Sequence, residues 1–475
     1  MEDLINQLTW QVFSIQDIVA KLHESRYPSP TPLKLSLIIK NITEAIYQNI
    51  LTRYRTLKNP SRDLEIQIKL AIQAIQRLGA DLRYVERAAA PQTSWGLVRT
   101  LEKIGRKLHP DSYFIIRPQW HYNYSLFERL SGYQIRFKSL IPKKQLADIL
   151  KFESKRSIKK LYIMGFPYLD QSNILKSTLF GHELGHPIEK EYFLTEDTTK
   201  LYPELYKEIL RAYDEKTKQT KEKDKLIQIH QIRQMAQRVL RFRRKALAEL
   251  ISDLVCVNLF GPAALFAAEE WARGLNLDSF EKIESKHYPP RRYRLRLMHQ
   301  TFLPDWIERY IDKGKMEEKY ADAVKSKYQV ITDIVGDETD KRLIFEETEI
   351  GIAYKVIERN MADIIEFVKS RLAKRGFKLD NLVGKTNQTL INRLENWIPP
   401  DSFLSKEGKD IPAEIRSILN VAWIVYLANY SSITKQADQK KIYLHHKQVE
   451  ALNRLTLKAI EYVDIRSIWK QREKG

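Results

Sequence analysis

The sequence predicts an α+β fold that is mostly α-helical, with a small β-sheet packed on one functional helix and helical regions at both ends. Apolar residues recur at helical spacing over long segments at both ends of the chain, and short segments rich in aromatic and β-branched residues lie between them. The segment His182-Glu183-Leu184-Gly185-His186 follows the last of these. Since 475 residues exceed one typical core, we expect domains over residues 1–110, 111–300 and 301–475.

The N-terminal domain is predicted to contain three helices, over residues 4–23, 33–57 and 63–88. Each segment has apolar residues every three or four positions. The connecting segments PSPTP and NPSRD contain prolines that stop one helix and Asn or Ser residues that can cap the next. The first hundred residues should therefore fold as a helical domain.

The central domain is predicted to begin with strands, because aromatic and β-branched residues are concentrated in segments 112–117, 120–124, 132–137 and 159–164. A long helix over residues 223–260 should end at the Gly261-Pro262 pair. Beyond residue 304 the pattern is again helical. Its predicted breaks lie near Gly336, Gly384, Pro399 and Gly408.

Composition excludes several classes of protein. The single cysteine, Cys256, rules out an internal disulfide framework and a four-cysteine zinc site, and its apolar neighbours indicate a small buried hydrophobe. The two most apolar runs, residues 254–268 and 418–428, are shorter than the roughly 20 residues of a membrane span, so we expect core helices in a soluble protein. No basic leader precedes an apolar run at the N-terminus, and a cytoplasmic location is the default expectation.

The net charge of +20, from 80 Lys and Arg against 60 Asp and Glu, favours acidic partners such as nucleic acid. Solvated faces with local ion pairs are the simpler interpretation of such charges, and nucleic-acid binding is the alternative. The basic residues are concentrated in two segments, one with Arg238, Arg241, Arg243, Arg244 and Lys245, and one with Lys286, Arg291, Arg292, Arg294 and Arg296.

The two histidines His182 and His186 are spaced to bind one metal ion. Residues four apart in an α-helix project from one face, and zinc accepts neutral imidazole nitrogens. The pattern His-Glu-x-x-His is the metallopeptidase signature, in which Glu183 is the general base on a metal-activated water. Pro187 follows at once and has no N–H for the carbonyl of Glu183, so the helix should end or kink there.

A third zinc ligand is expected on the long helix of residues 223–260. Glu249 and Asp253 are one turn apart on it in an apolar setting, where buried carboxylates need partners. Glu249 would bind the metal, and Asp253 would accept the remaining ring N–H of a ligand histidine and fix its tautomer. The other interpretation is a helix whose acidic residues face water.

This set of residues resembles the gluzincin zinc metallopeptidases, the zincin group that includes thermolysin. The segment from His287 through Tyr288-Pro289-Pro290 to Arg294 is similar to the His-Pro-Pro-x-x-x-Arg element of the HtpX and prenyl-protein endopeptidase group, with Tyr288 as one extra residue. That resemblance implies roles for His287 and Arg294 in binding the substrate carbonyl or its oxyanion. A proline-bounded helix start with surface arginines is the other interpretation. The resemblance covers about residues 158–297.

Together these patterns predict a zinc-dependent endopeptidase acting on a specific protein or peptide substrate. Its ion would be held by His182, His186 and Glu249, with Asp253 behind them. The alternative is a basic nucleic-acid- or partner-binding protein whose zinc site is structural or vestigial. The sequence makes no prediction of the oligomeric state.

Overall fold

The computed structural model of the chain divides into two units. Unit 1 comprises Met1–Ser172 with Ile460–Gly475, and unit 2 comprises Asn173–Ala459. The fold is α+β and mostly helical, as predicted. The structure describes all residues except 58–60, 91–92, 152–159, 197, 218–224, 274–276, 278–287, 303, 337–347, 385–386, 406, 432–438 and 474–475.

Unit 1 combines helices with a three-stranded sheet. Its elements are α1 (Glu2–His23), α2 (Thr31–Thr56), α3 (Arg62–Glu86), α4 (Trp95–Leu108), β1 (Ser112–Gln119), β2 (Ser125–Glu128), α5 (Leu130–Phe137), α6 (Lys143–Ile149) and β3 (Lys160–Pro167). The three predicted N-terminal helices are confirmed as α1, α2 and α3. Ser61 caps α3 by accepting a hydrogen bond from the Leu64 N–H, as the NPSRD segment indicated.

The three-stranded sheet has the order β1-β3-β2, with β1 parallel to β3 and β2 antiparallel to it. The predicted strands over 112–117 and 159–164 are confirmed, while residues 120–124 are not a strand and residues 132–137 belong to α5. The helix forms because Leu130, Tyr133 and Phe137 are buried at helical spacing, and the Tyr133 hydroxyl donates to Asp81.

Unit 2 is built from helices and a two-stranded hairpin. Its elements are α7 (Phe180–Thr195), α8 (Thr198–Thr217), α9 (Lys225–Phe260), α10 (Pro262–Arg273), α11 (Arg291–Gln300), α12 (Pro304–Gly314), α13 (Glu318–Val335), α14 (Thr348–Arg359), α15 (Met361–Lys374), α16 (Asn387–Glu395), β4 (Ser402–Leu404), β5 (Asp410–Pro412), α17 (Ile415–Tyr430) and α18 (Gln439–Arg472). The last residues of α18, from Ile460, belong to unit 1. The β4–β5 hairpin lies in a region predicted to be helical.

The long helix α9 ends where the sequence predicted. Gly261 adopts a left-handed conformation with φ of 69°, which a glycine adopts without strain, and α10 begins at Pro262. Buried groups of α17 satisfy the backbone at this break. The Arg416 guanidinium donates to the carbonyls of Leu259 and Asn258, and Asn420 bonds both the Phe260 carbonyl and the Ala263 N–H.

The boundary between the two units, at residues 172 and 173, differs from the predicted domain limits at 110 and 300. The sheet folds with the N-terminal helices, because its strand β1 packs on α4 and β1 contributes Tyr113 and Ile115 to the same core as α1 and α3. The motif helix α7 folds with the C-terminal helices. Packing of the sheet on that helix therefore stays a prediction. Within the described residues, no helix is long and apolar enough to cross a bilayer.

Candidate metal centre

The motif helix α7 runs from Phe180 to Thr195 and continues through Pro187. The helix therefore does not end at this proline, and the alternative that it kinks there stays a prediction. Pro187 is buried, and the turns beyond it are fixed by tertiary contacts, which outweigh the single lost hydrogen bond. Beyond the proline, Glu191 of α7 forms ion pairs with Arg371 and Arg375 of α15.

Two glycines of the motif let α7 approach α9 closely. A Cβ on Gly185 would lie 2.5 Å from the Ser252 Cα, and a Cβ on Gly181 would lie 3.0 Å from the Cys256 Cα. Both distances are shorter than ordinary carbon contacts, so only glycine fits while the helices stay this close. This approach brings the histidine face of α7 against the α9 turn that carries the two acids.

His182 is contacted on both ring nitrogens by α9. The Asp253 Oδ1 lies 2.8 Å from Nδ1, and the Glu249 Oε2 lies 3.4 Å from Nε2. The first contact places a proton on Nδ1, and Nε2 faces the Glu249 carboxylate. The structure thus brings these three predicted residues together as predicted, with the Asp253 carboxylate at Nδ1 of His182 and the Glu249 carboxylate at Nε2.

His186 is oriented by two groups that sequence reasoning missed. Its Nδ1 lies 3.1 Å from the Glu189 Oε2 and 3.2 Å from the Ser252 hydroxyl oxygen. Both contacts use Nδ1, so Nε2 is the nitrogen that can take a metal. Glu189 could have been found from its spacing of three residues on the same helix, whereas Ser252 had no signal beyond its place between the two acids.

Glu183 lies with the two histidines and is 5% exposed. One ligand atom from each of His182, Glu183 and His186 lies within 4.8 Å of the others. Burial raises the pKa of Glu183, and the charge of Glu249 raises it further, against the opposing effect of the nearby cations. Burial therefore favours the protonated form of this carboxyl group more than water does.

Arg294 of α11 reaches the same centre. Its Nε and Nη2 donate to both oxygens of Asp253 at 2.7 and 2.8 Å, and its Nη1 lies 3.2 Å from the Glu249 Oε2. The guanidinium therefore holds the two carboxylates in place. Its predicted role toward a substrate oxyanion stays a prediction. The helix start after Pro290 also agrees with the simpler interpretation of this segment.

The charges of the centre are coupled. Burial lowers the pKa of His182, but its hydrogen bonds to Asp253 and Glu249 outweigh this and raise the pKa to about 10. Burial raises the pKa of Glu249, but Arg294 and His182 lower it to about 2, and the same neighbours hold the pKa of Asp253 well below its usual range. Both α9 acids are thus carboxylates, and His182 and Arg294 balance their charges.

His287 and Lys286 lie outside the described residues. Most other members of the two basic segments have partners within the chain. Arg243 pairs with Glu196 and Arg238 with Glu349, while Arg241 and Lys245 are exposed. The remaining contacts place Arg244 over the Phe193 ring, Arg291 over the Trp271 ring, and Arg292 and Arg296 on the carbonyls of Ile334 and Val335.

Two ligands about 2.1 Å from one tetrahedral zinc ion are roughly 3.4 Å apart, which is also the separation of the His182 Nε2 and the Glu249 Oε2. Among the described residues, the group of donor atoms that lie within 4.8 Å of one another comprises His182, Glu183 and His186 and does not include Glu249. Both histidines have a hydrogen-bond partner on Nδ1, which leaves Nε2 as the nitrogen that could bind a metal.

No protein family, curated protein or solved structure matches this chain.

Proposed function

We propose that the protein is a zinc-dependent endopeptidase that hydrolyses peptide bonds of a specific protein target. The observation that carries the proposal is that Asp253 and Glu249, one turn apart on α9, contact opposite nitrogens of His182 on α7. His182, His186 and Glu249 would hold the ion. Zinc bound there supplies a Lewis acid that polarises the scissile carbonyl and lowers the pKa of a water molecule.

Of the protein groups around the ion, Glu183 would transfer protons, and Asp253 and Arg294 would position the residues that bind the ion. Glu183 takes the proton of the attacking water and passes it to the leaving amine, so the group ends the reaction as it began. Asp253 accepts the Nδ1–H of His182 and keeps the ring in its ligand tautomer. Arg294 keeps Asp253 in place and can stabilise negative charge that develops on the carbonyl oxygen.

The test compares metal content and peptide hydrolysis in purified variants. Wild type should contain equimolar zinc and cleave members of a peptide library. Glu183→Gln should retain zinc and lose hydrolysis, because the amide cannot accept the proton. His182→Ala and Glu249→Ala should lose zinc. The exposed helix residue Glu318 offers a control, since Glu318→Gln should change neither property. Full peptidase activity in Glu183→Gln would end the assignment.

The alternative, a nucleic-acid- or partner-binding protein with a structural or vestigial zinc site, draws on the +20 charge. The internal contacts of the basic segments leave fewer cations for phosphate groups, which is why we place it second. It predicts an affinity for DNA or RNA that falls steeply with salt, and no hydrolysis in the wild type whether or not zinc is bound.

A further inference from the structure

A second candidate site lies in unit 2 between the end of α16, α17 and α18. It is a cleft of about 280 Å³. Its apolar lining includes the buried side chains of Leu394, Val425 and Leu452. Two aromatic residues, Trp397 and Tyr430, and the carboxylate of Glu395 also line it. The volume lies just below the roughly 300–1,000 Å³ found for ligand pockets, so the cleft suits one side chain better than a cofactor.

The backbone at Trp397 is strained in a way that points to a use for the indole. The Trp397 N–H donates to the Leu394 carbonyl and the Ile398 N–H to the Arg393 carbonyl, which is the capping turn that normally has glycine at this position. Trp397 instead adopts a φ of 58° and is 52% exposed. Both features disfavour a large aromatic residue on structural grounds alone, and such strain concentrates at functional sites.

The charge of the cleft selects the ligand. Asn429 donates to the Glu395 Oε1 at 2.6 Å, and the exposed Lys319 ammonium lies 3.9 Å from the same atom. Burial raises the pKa of Glu395, but hydrogen bonds from Tyr320 and Asn429 outweigh it and lower the pKa, so the group is a carboxylate. An exposed ion pair such as that with Lys319 is weak, and a better cation can replace it.

A guanidinium group fits these surroundings better than other ligands. It is planar and stacks on aromatic rings, and it forms charge-assisted hydrogen bonds with a carboxylate, while its methylene stem packs on apolar side chains. We propose that this cleft binds an arginine side chain presented by a partner polypeptide. The proposal does not depend on the metal centre.

The experiment titrates the full-length protein with N-acetyl-arginine amide, followed by ligand-observed NMR, beside the neutral isostere N-acetyl-citrulline amide. The arginine compound should bind at least about tenfold more tightly, because only it makes a charge-assisted hydrogen bond. Glu395→Gln should remove that preference while keeping an acceptor for Asn429. Lys319→Gln should tighten arginine binding, since it removes the competing ammonium.

Trp397→Gly tests the aromatic part of the site. Arginine binding should weaken about tenfold, while the melting temperature should stay within about 3 °C of wild type, because relief of backbone strain offsets lost packing. Lys315 provides a matched control, since it occupies the same capping turn at the end of α12 with a φ of 51°. Lys315→Gly should leave binding unchanged. Equal binding of citrulline and arginine, no arginine binding, or unchanged binding in Glu395→Gln would each overturn the proposal.

Discussion

Replacing Gly185 by alanine should separate α7 from α9 and open the metal centre. The new methyl carbon would lie 2.5 Å from the Ser252 Cα and 3.0 Å from the Ser252 Cβ. Carbon atoms in contact need about 3.5 Å, so the helices would have to move apart by about 1 Å. Because the obstructing atoms include α9 backbone, a rotamer change cannot relieve the clash.

Gly185→Ala should weaken zinc binding and lower stability by a modest amount. Overpacking costs about 1–3 kcal/mol, and the higher helix propensity of alanine offsets about 1 kcal/mol of it, so the free energy of unfolding should fall by at most about 2 kcal/mol. The 2.8 Å contact between His182 and Asp253 would lengthen beyond hydrogen-bonding distance. Loss of such support weakens metal binding by about 10- to 100-fold.

Chelator competition would measure zinc affinity, and urea unfolding would measure stability. Gly132 in α5 is the control, because a Cβ there meets nothing within 4 Å. Gly132→Ala should keep zinc affinity and raise the free energy of unfolding by up to about 1 kcal/mol. Wild-type zinc affinity in Gly185→Ala would refute the idea that close helix approach assembles the centre.

Three further substitutions test the supporting contacts. Asp253→Asn should weaken zinc binding by about 10- to 100-fold in the same chelator assay, because the substitution removes the negative charge beside Nδ1 of His182. Pro187→Ala should raise the free energy of unfolding, measured in urea, by about 1 kcal/mol or more, since it restores an N–H opposite the Glu183 carbonyl. An unchanged free energy of unfolding would mean that this proline does not destabilise the helix. Arg416→Met should lower the unfolding free energy by about 3 kcal/mol, because buried carbonyls at the end of α9 lose their donor, and a change below 1 kcal/mol would contradict that role.

The helices, and the residues that lie on one face of a helix, were predictable from the sequence, because helical periodicity is a local property. It placed α9 within two residues of its observed start and put Glu249 and Asp253 on one face. Short strands were less predictable. The aromatic residues of 132–137 suit both a strand and a helix, and the burial of Tyr133 against Asp81 decides for the helix. Such long-range contacts are not encoded in the local pattern.

In the candidate metal centre, the sequence indicated the residues of α7 and α9 that lie together but not what positions them. The closeness of α7 and α9 depends on the spacing of Gly181 and Gly185, whose meaning appears only when the atoms of Ser252 and Cys256 are placed opposite them. The bidentate contact of Arg294 with Asp253 was similarly hidden, because a basic segment predicts exposed cations as readily as a buried pair.

The contacts of His186 offer a test that would distinguish a metal centre from a network of ion pairs. Ion pairing alone accounts for His182, the two acids of α9 and Arg294, since their charges balance one another. It also accounts for the contact of His186 with Glu189, which is an ion pair three residues apart on α7, but it gives no reason for Ser252 to contact the same ring nitrogen or for Glu183 to be buried beside the histidines. A metal ligand needs that orientation, because the bonded nitrogen fixes the direction of the other. Ser252→Ala should therefore weaken zinc binding with little loss of stability, whereas a purely structural network predicts no change in zinc affinity.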